Sequence, residues 1–224
     1  VWEAWQRDIF EEFMACDDKG VPYWKSCHLV VPRKNGKTLM LAALAIYSLV
    51  MDDDQPEILL AAATDKQAGR LFELCVSFVR ENPRLDEMMH RRESVGEIVN
   101  PVTGGKIIRL PSGGETLDGY NPSKSMCDEL HAWSTPTRRR VWTSLNTADA
   151  ARERTQVLSI TTAGDAISRQ TGILGRMIDS NEANGQCDKS PGLTISRDHD
   201  ARTIVFNYNA ATHDPSDVVK MKQA

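Results

Sequence analysis

Gly36, Lys37 and Thr38 stand at the head of an apolar run in the stretch VVPRKNGKTLMLAALAIY, which begins at Val30. A loop that closes around a triphosphate needs backbone N–H groups turned inward and a lysine that reaches the β- and γ-phosphates. It also needs a hydroxyl for Mg2+ and a helix N-terminus behind it. The trio and the helical pattern after it supply those parts in order. Pro32, Arg33, Lys34 and Asn35 complete the loop, and Arg33 and Lys34 add positive charge beside the phosphates. Val31 stands where such loops have their first glycine, and a side chain there restricts the backbone. The position falls at the end of a predicted strand, where an extended residue fits. The competing reading is a chance Gly-Lys-Thr at a helix start.

A phosphate loop requires a second feature: a strand ending in an acid that holds the metal, followed by an acid that takes a proton from the attacking water. Asp128 and Glu129, in SKSMCDELHAW, meet that requirement, with Asp128 near Mg2+ and Glu129 next to the water. An isolated Asp-Glu pair is otherwise a solvated turn, and Lys124 and Ser125 make this strand less apolar than a buried one. His131 reads as a partner to neighbouring chain elements rather than as a proton carrier. At a third strand end, SITTAGD, Thr161 and Thr162 would lie beside the γ-phosphate and sense its loss; alternatively they begin a plain turn at Ala163-Gly164. Lys37 and the Asp128-Glu129 pair are expected to meet at neighbouring strand ends.

The elements that must hold these groups follow from periodicity. Trp2, Trp5, Ile9, Phe10 and Phe13 are spaced for an amphipathic helix that ends near Asp17-Asp18-Lys19-Gly20. Residues 27–31 form a short strand pattern, and Lys37 to Met51 a helix apolar nearly all round, hence central. Glu57 to Ala63 reads as a strand leading into a helix over DKQAGRLFELCVSFVRE, and Glu97–Val99 with Lys106–Leu110 as a hairpin. A weak strand at Lys124 to Cys127, a helix from Pro136 to Ala148, the strand TQVLSITT, a helix from Ile167 to Asn181 and a strand pair near 193–195 and 203–208 complete the order. Alternation at this pace implies an α/β fold with a mostly parallel central sheet flanked by helices. A core over 1–165 and a small lid or linker over 166–224 are expected.

With 224 residues, 41% hydrophobic and 26% charged, the chain is long enough for one sizeable core. Its net charge of −4 argues against general nucleic-acid adhesion. DNA contact would have to come from local patches such as Arg138-Arg139-Arg140 or His90-Arg91-Arg92, each otherwise a solvated helix face. Five scattered cysteines without a C-x-x-C pair suggest neither a disulfide framework nor a zinc site, and a reducing cytosol is the default. The longest apolar run, Leu39 to Met51, is too short to span a bilayer, and no signal peptide is evident.

Taken together, WEAWQRDIF, VPRKNGKT, AAATDKQAGRLFE, GYNPSKSMCDELHAW and SITTAG resemble, in order, the motifs of the ATPase domain of the large terminase subunit of tailed bacteriophages. In that family the first loop glycine is often absent. The resemblance implies a P-loop NTPase of RecA-like (ASCE) fold that uses ATP and Mg2+ to drive double-stranded DNA into a procapsid. It implies that Gln6 reads the base and that Pro32 to Thr38 bind nucleotide. Lys37, Arg33 and Glu129 would act in catalysis, Thr38 and Asp128 hold the metal, and Thr161 and Thr162 couple hydrolysis to movement. The partners it implies are DNA, gripped by its backbone irrespective of sequence, further copies of the chain in a ring, the portal protein and the small terminase subunit, in the host cytoplasm and with no membrane.

The family completes each site with an arginine from a neighbour. Where some relatives carry it, this chain reads Leu117-Asp118-Gly119, so Arg109, Arg138, Arg139, Arg140 and Arg152 all stay open. A C-terminal metal-dependent nuclease domain, expected after HDPSDVVKMKQA, is taken to be missing. Two alternatives stand beside this reading: the first motor domain of a DExH-type helicase, which shares Asp128-Glu129-x-His131, and a nucleotide-binding ring scaffold without turnover.

Overall fold

The computed structural model describes residues 2–111, 117, 119–147, 152 and 154–208. Along the chain lie α1 (Ala4–Met14), β1 (Ser26–Val30), α2 (Lys37–Met51), β2 (Glu57–Ala62), α3 (Asp65–Glu81), α4 (Pro83–Met88), β3 (His90–Arg92), β4 (Glu97–Val99) and β5 (Lys106–Arg109). After them come β6 (Lys124–Asp128), α5 (Pro136–Thr147), β7 (Gln156–Thr161), α6 (Ala166–Thr171), α7 (Ile173–Asn184), β8 (Gln186–Ser190), β9 (Leu193–Asp198) and β10 (Thr203–Tyr208). The strands form one sheet in the order β3-β4-β5-β2-β6-β7-β1-β10-β9-β8. From β5 to β10 across that order the strands run parallel; β3 and β4 on one side, and β9 and β8 on the other, are antiparallel.

Two cores cover the two faces. On one, Ile9 and Phe13 of α1, Leu41, Leu44 and Leu49 of α2 and Leu71 and Cys75 of α3 pack against Ile58, Leu60, Met126, Leu158 and Ile160. On the other, Val141 and Leu145 of α5 and Leu174 and Ile178 of α7 pack against Val30, Leu59, Ala61, Cys127 and Val205. Successive strand residues point to opposite faces, which is why β2, β6 and β7 are buried along their whole length and read as continuous runs. α2 lies centrally, as its apolar circumference requires. α3 opens on a capping box in which Thr64 accepts from the Gln67 N–H and the Gln67 side chain accepts from the Thr64 N–H.

Several expectations change. The phosphate-loop strand β1 and the acidic strand β6 are not neighbours, because β7 lies between and pairs with both. The single helix expected over Ile167 to Asn181 is two, broken at Gly172; Gly175 passes so close to α6 that a Cβ would run into the Arg169 carbonyl. The short α4 starts where α3 stops, with Asn82 capping Arg84 and Leu85 and Pro83 at the first helical position. His90-Arg91-Arg92 is an edge strand rather than a helix face. Its arginines pair locally, Arg91 with Asp86 at 2.8 Å and Arg92 with Glu97 at 3.4 Å, which leaves it a poor free basic patch. β10 pairs with β1 from Ser26↔Thr203 to Val30↔Asn207, so the sheet runs on through the region expected as a lid, and residues 209–224 lie outside the described residues. Among the described residues, no helix is long and apolar enough to cross a membrane.

Lys124, the oddity of β6, is 5% exposed at the end of the sheet away from the loop. Its ammonium lies 3.3 Å from Gln156 Oε1 and 3.6 Å from Asp52 Oδ2 at the end of α2. The Gln156 amide donates in turn to the carbonyls of Phe13 (2.6 Å) and Trp24 (3.0 Å). These bonds hold α1, β1, α2, β6 and β7 in register from below.

His28 of β1 is fully buried, 2.7 Å from Ser159 Oγ and beside Trp142. Burial drives its pKa from 6.5 down to about 3, so it is neutral in the fold. Between those values the unfolded chain binds the extra proton. Stability is therefore full above the unfolded value and declines as pH falls below it. Urea denaturation should show about 2 kcal/mol lost between about pH 7 and about pH 5 from this group. His28→Gln should start less stable but show a flatter pH dependence; parallel curves would disprove the assignment.

Candidate nucleotide site

The Val31 N–H donates to the Thr161 carbonyl at 2.9 Å, so β1–β7 pairing continues one residue past the strand. The Val31 side chain is buried in the core. The loop therefore begins in extended backbone, where no glycine is needed. It turns afterwards, at Lys34 (φ 69°) and Gly36 (φ 70°). Lys34 bears the left-handed conformation at a cost of about 1–2 kcal/mol. The Asn35 amide donates to the carbonyls of Pro32 (3.1 Å) and Arg33 (3.3 Å) and braces the loop from within. Gly36 caps α2 without a side chain, which leaves the first-turn N–H groups uncapped by any side chain. Gln6 rests on the loop: its amide donates to the Asn35 carbonyl at 3.3 Å and its Oε1 accepts from the Glu3 N–H at 3.0 Å.

Across the strand ends the charged groups meet. The Thr38 hydroxyl donates to Asp128 Oδ2 at 3.2 Å, while Asp128 Oδ1 is buried with no hydrogen-bond partner. Burial, then the Glu129 charge, push the Asp128 carboxyl up to about 6 against the pull of Thr38 and Lys37. The Lys37 ammonium lies 3.9 Å from Glu129 Oε1. Burial lowers its pKa, Glu129 and Asp128 oppose that, and nearby Arg33 reinforces it. Glu129 sits at φ 53°, a strained conformation that turns the chain into a tight turn at Leu130–Ala132. Its Oε2 lies 3.1 Å from His131 Nδ1 and 3.4 Å from the Thr162 N–H. Burial acts to raise this carboxyl, but His131, Lys37 and the Thr162 N–H outweigh it and hold it below its ordinary value. Thr161 and Thr162 are both buried beside this turn.

Behind the site, Trp133 Nε1 donates to the Asp128 carbonyl at 3.1 Å, and Arg138 lies over the Trp133 ring with its Nε donating to the Ala63 carbonyl at 3.2 Å. Arg138 is thus a buried prop, 5% exposed, rather than a surface charge. No sequence signal separated it from Arg139 and Arg140, which are exposed. Arg152 donates to the carbonyls of Asp54 and Gln55, at the opposite end of the strands from the loop. Arg109 is exposed at the end of β5, against Gly96 and Gly69, and Arg33 is exposed on the loop. Asp118 lies outside the described residues.

A parallel sheet with a phosphate loop after β1, an acidic pair after β6 and β7 between them defines a P-loop NTPase of RecA-like type. The family described as terminase large subunit, ATPase domain, matches residues 15–178, most of the chain, and the chain belongs to that family. The large terminase subunit of Enterobacteria phage HK97 is 29% identical over 142 residues, covering 62% of this chain and 28% of that protein. The crystal structure of the HK97 large terminase superposes with a TM-score of 0.72 at 19% identity, over 100% of this chain and 47% of that one. The ATPase domain of the Thermus phage P74-26 large terminase gives a TM-score of 0.53 at 18% identity, over 72% and 71% of the two chains. The chain thus spans less than half the length of the HK97 protein.

A buried carboxylate with an unpartnered oxygen destabilises the protein in nucleotide-free, metal-free buffer. Asp128→Asn should relieve that by on the order of 2 kcal/mol, raising the calorimetric melting temperature by roughly 4–8 °C at this chain size. A lower melting temperature for the variant would contradict this account of the site.

Proposed function

We propose that this chain hydrolyses ATP and that the turnover drives double-stranded DNA into a procapsid. One observation carries the reading: Lys37, Thr38, Asp128 and Glu129, ninety residues apart in sequence, converge within hydrogen-bonding or ion-pair distance at the same edge of the sheet. The donor set suits Mg2+, which commonly takes one or two carboxylates and otherwise water and phosphate oxygens. Thr38 and Asp128, with its unpartnered Oδ1, would hold it. Bound there with ATP, Mg2+ supplies neutralisation of charge on the β- and γ-phosphates.

Lys37 then exchanges Glu129 for the phosphates, and Arg33 and Lys34 add charge from the loop. Glu129, relieved of Lys37, takes a proton from the attacking water as its oxygen bonds to the γ-phosphorus and the bond to the β–γ bridging oxygen breaks, releasing ADP and phosphate. Gln6 contacts the base and, through the Asn35 carbonyl, transmits its presence to the loop. Thr161 and Thr162 pass on the loss of phosphate. α6 and α7 follow them directly and pack on the Leu130–Ala132 turn, which makes this segment the route out of the core. DNA is held by its backbone without regard to sequence, because a translocating motor cannot stop at particular bases. The working assembly is a ring of copies docked on the portal with the small subunit, in the host cytoplasm.

Glu129→Gln tests the chemistry. It should bind a fluorescent ATP analogue as the parent does and hydrolyse ATP roughly 100-fold more slowly or worse. Hydrolysis at the parental rate would remove Glu129 as the base, and a parent that binds ATP without turnover would leave a scaffold in place of a motor.

A further inference from the structure

His131 stands at a junction that the proposed chemistry has not used. Three side-chain oxygens surround its Nδ1: Thr161 Oγ1 at 3.0 Å, Glu129 Oε2 at 3.1 Å and Thr162 Oγ1 at 3.3 Å. Its ring is placed by the main chain. The His131 N–H donates to Thr161 Oγ1 at 3.1 Å, the Glu129 N–H to the Ile160 carbonyl at 3.1 Å, and Trp133 closes the turn onto the Asp128 carbonyl. Residues 129–133 are thereby pinned to β7 and to the end of β6.

The carboxylate beside the ring favours one tautomer, with the proton on Nδ1. The Thr161 hydroxyl donates to the Thr162 carbonyl at 3.1 Å and already accepts from the His131 N–H, so it has no hydrogen left for Nδ1. An ionised Glu129 can only accept. The Thr162 hydroxyl can accept or donate, but a bare Nδ1 would set its lone pair against the carboxylate 3.1 Å away, so the contact with Glu129 Oε2 places the proton on Nδ1.

We propose that His131 is a positioning residue: its Nδ1–H, with the Thr162 N–H, holds Glu129 Oε2 so that Oε1 faces the phosphates, and ties that carboxylate to Thr161 and Thr162. The two carboxylate oxygens then have separate tasks. Oε2 is fixed by groups on the turn and on β7. Oε1 faces Lys37 here and water once Lys37 turns to phosphate. Thr161 extends the link to the loop, since its carbonyl accepts the Val31 N–H. A shift in β7 thus reaches the loop entrance, His131 and Glu129 together.

The inference rests on Glu129 acting as the base, and its test separates the two. Long-range 15N NMR of the imidazole in the unmodified protein should find Nδ1 protonated; an unprotonated Nδ1 overturns the proposal without any substitution. In steady-state ATP hydrolysis, His131→Ala should lower kcat on the order of tenfold, the scale at which loss of an orienting outer partner is commonly felt, and leave affinity for an ATP analogue unchanged. Asn places an amide N–H where Nδ1 stands, whereas Gln places it near Nε2. His131→Asn should therefore restore turnover and His131→Gln should not. Equal rates for the Asn and Gln variants, parental turnover in the Ala variant, or a loss of affinity in place of turnover would each overturn the proposal. In the Glu129→Gln background, removing His131 should cost nothing more. If Glu129→Gln itself turns over normally, the base assignment fails, and the NMR result still decides the placement of the proton.

Discussion

Lys37, Asp128 and Glu129 are held together largely out of water, and at Lys37 and Asp128 burial outweighs the attraction of the opposite charges, whereas at Glu129 the partners prevail. The lysine is pulled toward its neutral form with two carboxylates beside it, and Asp128 toward its acid form with a lysine beside it. Such a cluster is poor at stabilising a fold, since desolvation of buried ions commonly exceeds what pairing returns. It is well suited to meeting a charged ligand, because dipoles and charges already fixed in a site of low polarity need little rearrangement when charge moves. The backbone is strained in the two turns that flank this cluster, at Lys34 in the loop and at Glu129 in the acidic turn.

The sheet makes that cluster tolerable. Parallel strands deliver β1, β6 and β7 with their C-terminal ends on one edge, and β7 is the wedge between the loop and the acids. Thr161, its last residue, bonds to the loop entrance through its carbonyl and to the acidic turn through its hydroxyl. The far edge is locked by Lys124, Gln156 and Asp52, so strain at the site is opposed by a rigid base. Lys124, which made β6 look unlike a buried strand, ties it to β7 through Gln156 and to the end of α2 through Asp52.

Much of this was legible in the residues. Periodicity located α2, α3, α5 and β2 to within a residue or two, because each buries one face or all of itself and the spacing of apolar side chains records that; α1 was found too, but it stops at Met14, short of the expected end. The order of loop, acids and threonine pair pointed to the chemistry proposed here, since each motif needs its residues close in sequence. What was missed had no local signal. β8 is polar and mostly exposed, β3 consists of His90, Arg91 and Arg92, and α4 is six residues long. The break at Gly172 depends on how closely α6 approaches Gly175, a contact that no periodicity carries.

The sequence by itself determined the long apolar helices and the buried strands, and pointed to residues 32–38 as a candidate phosphate loop and to a strand that brings acids to it. The tertiary structure alone decided that β7 separates β1 from β6, that β10 closes the sheet beside β1, that Arg138 is a buried prop while Arg139 and Arg140 face water, and that His131 bridges Glu129 to Thr161. The physical reason is range. Backbone conformation and amphipathic spacing act over a few neighbouring residues and are written in the order of side chains. Strand order and the sharing of a single N–H among groups some thirty residues apart arise only when the sheet brings distant segments into register.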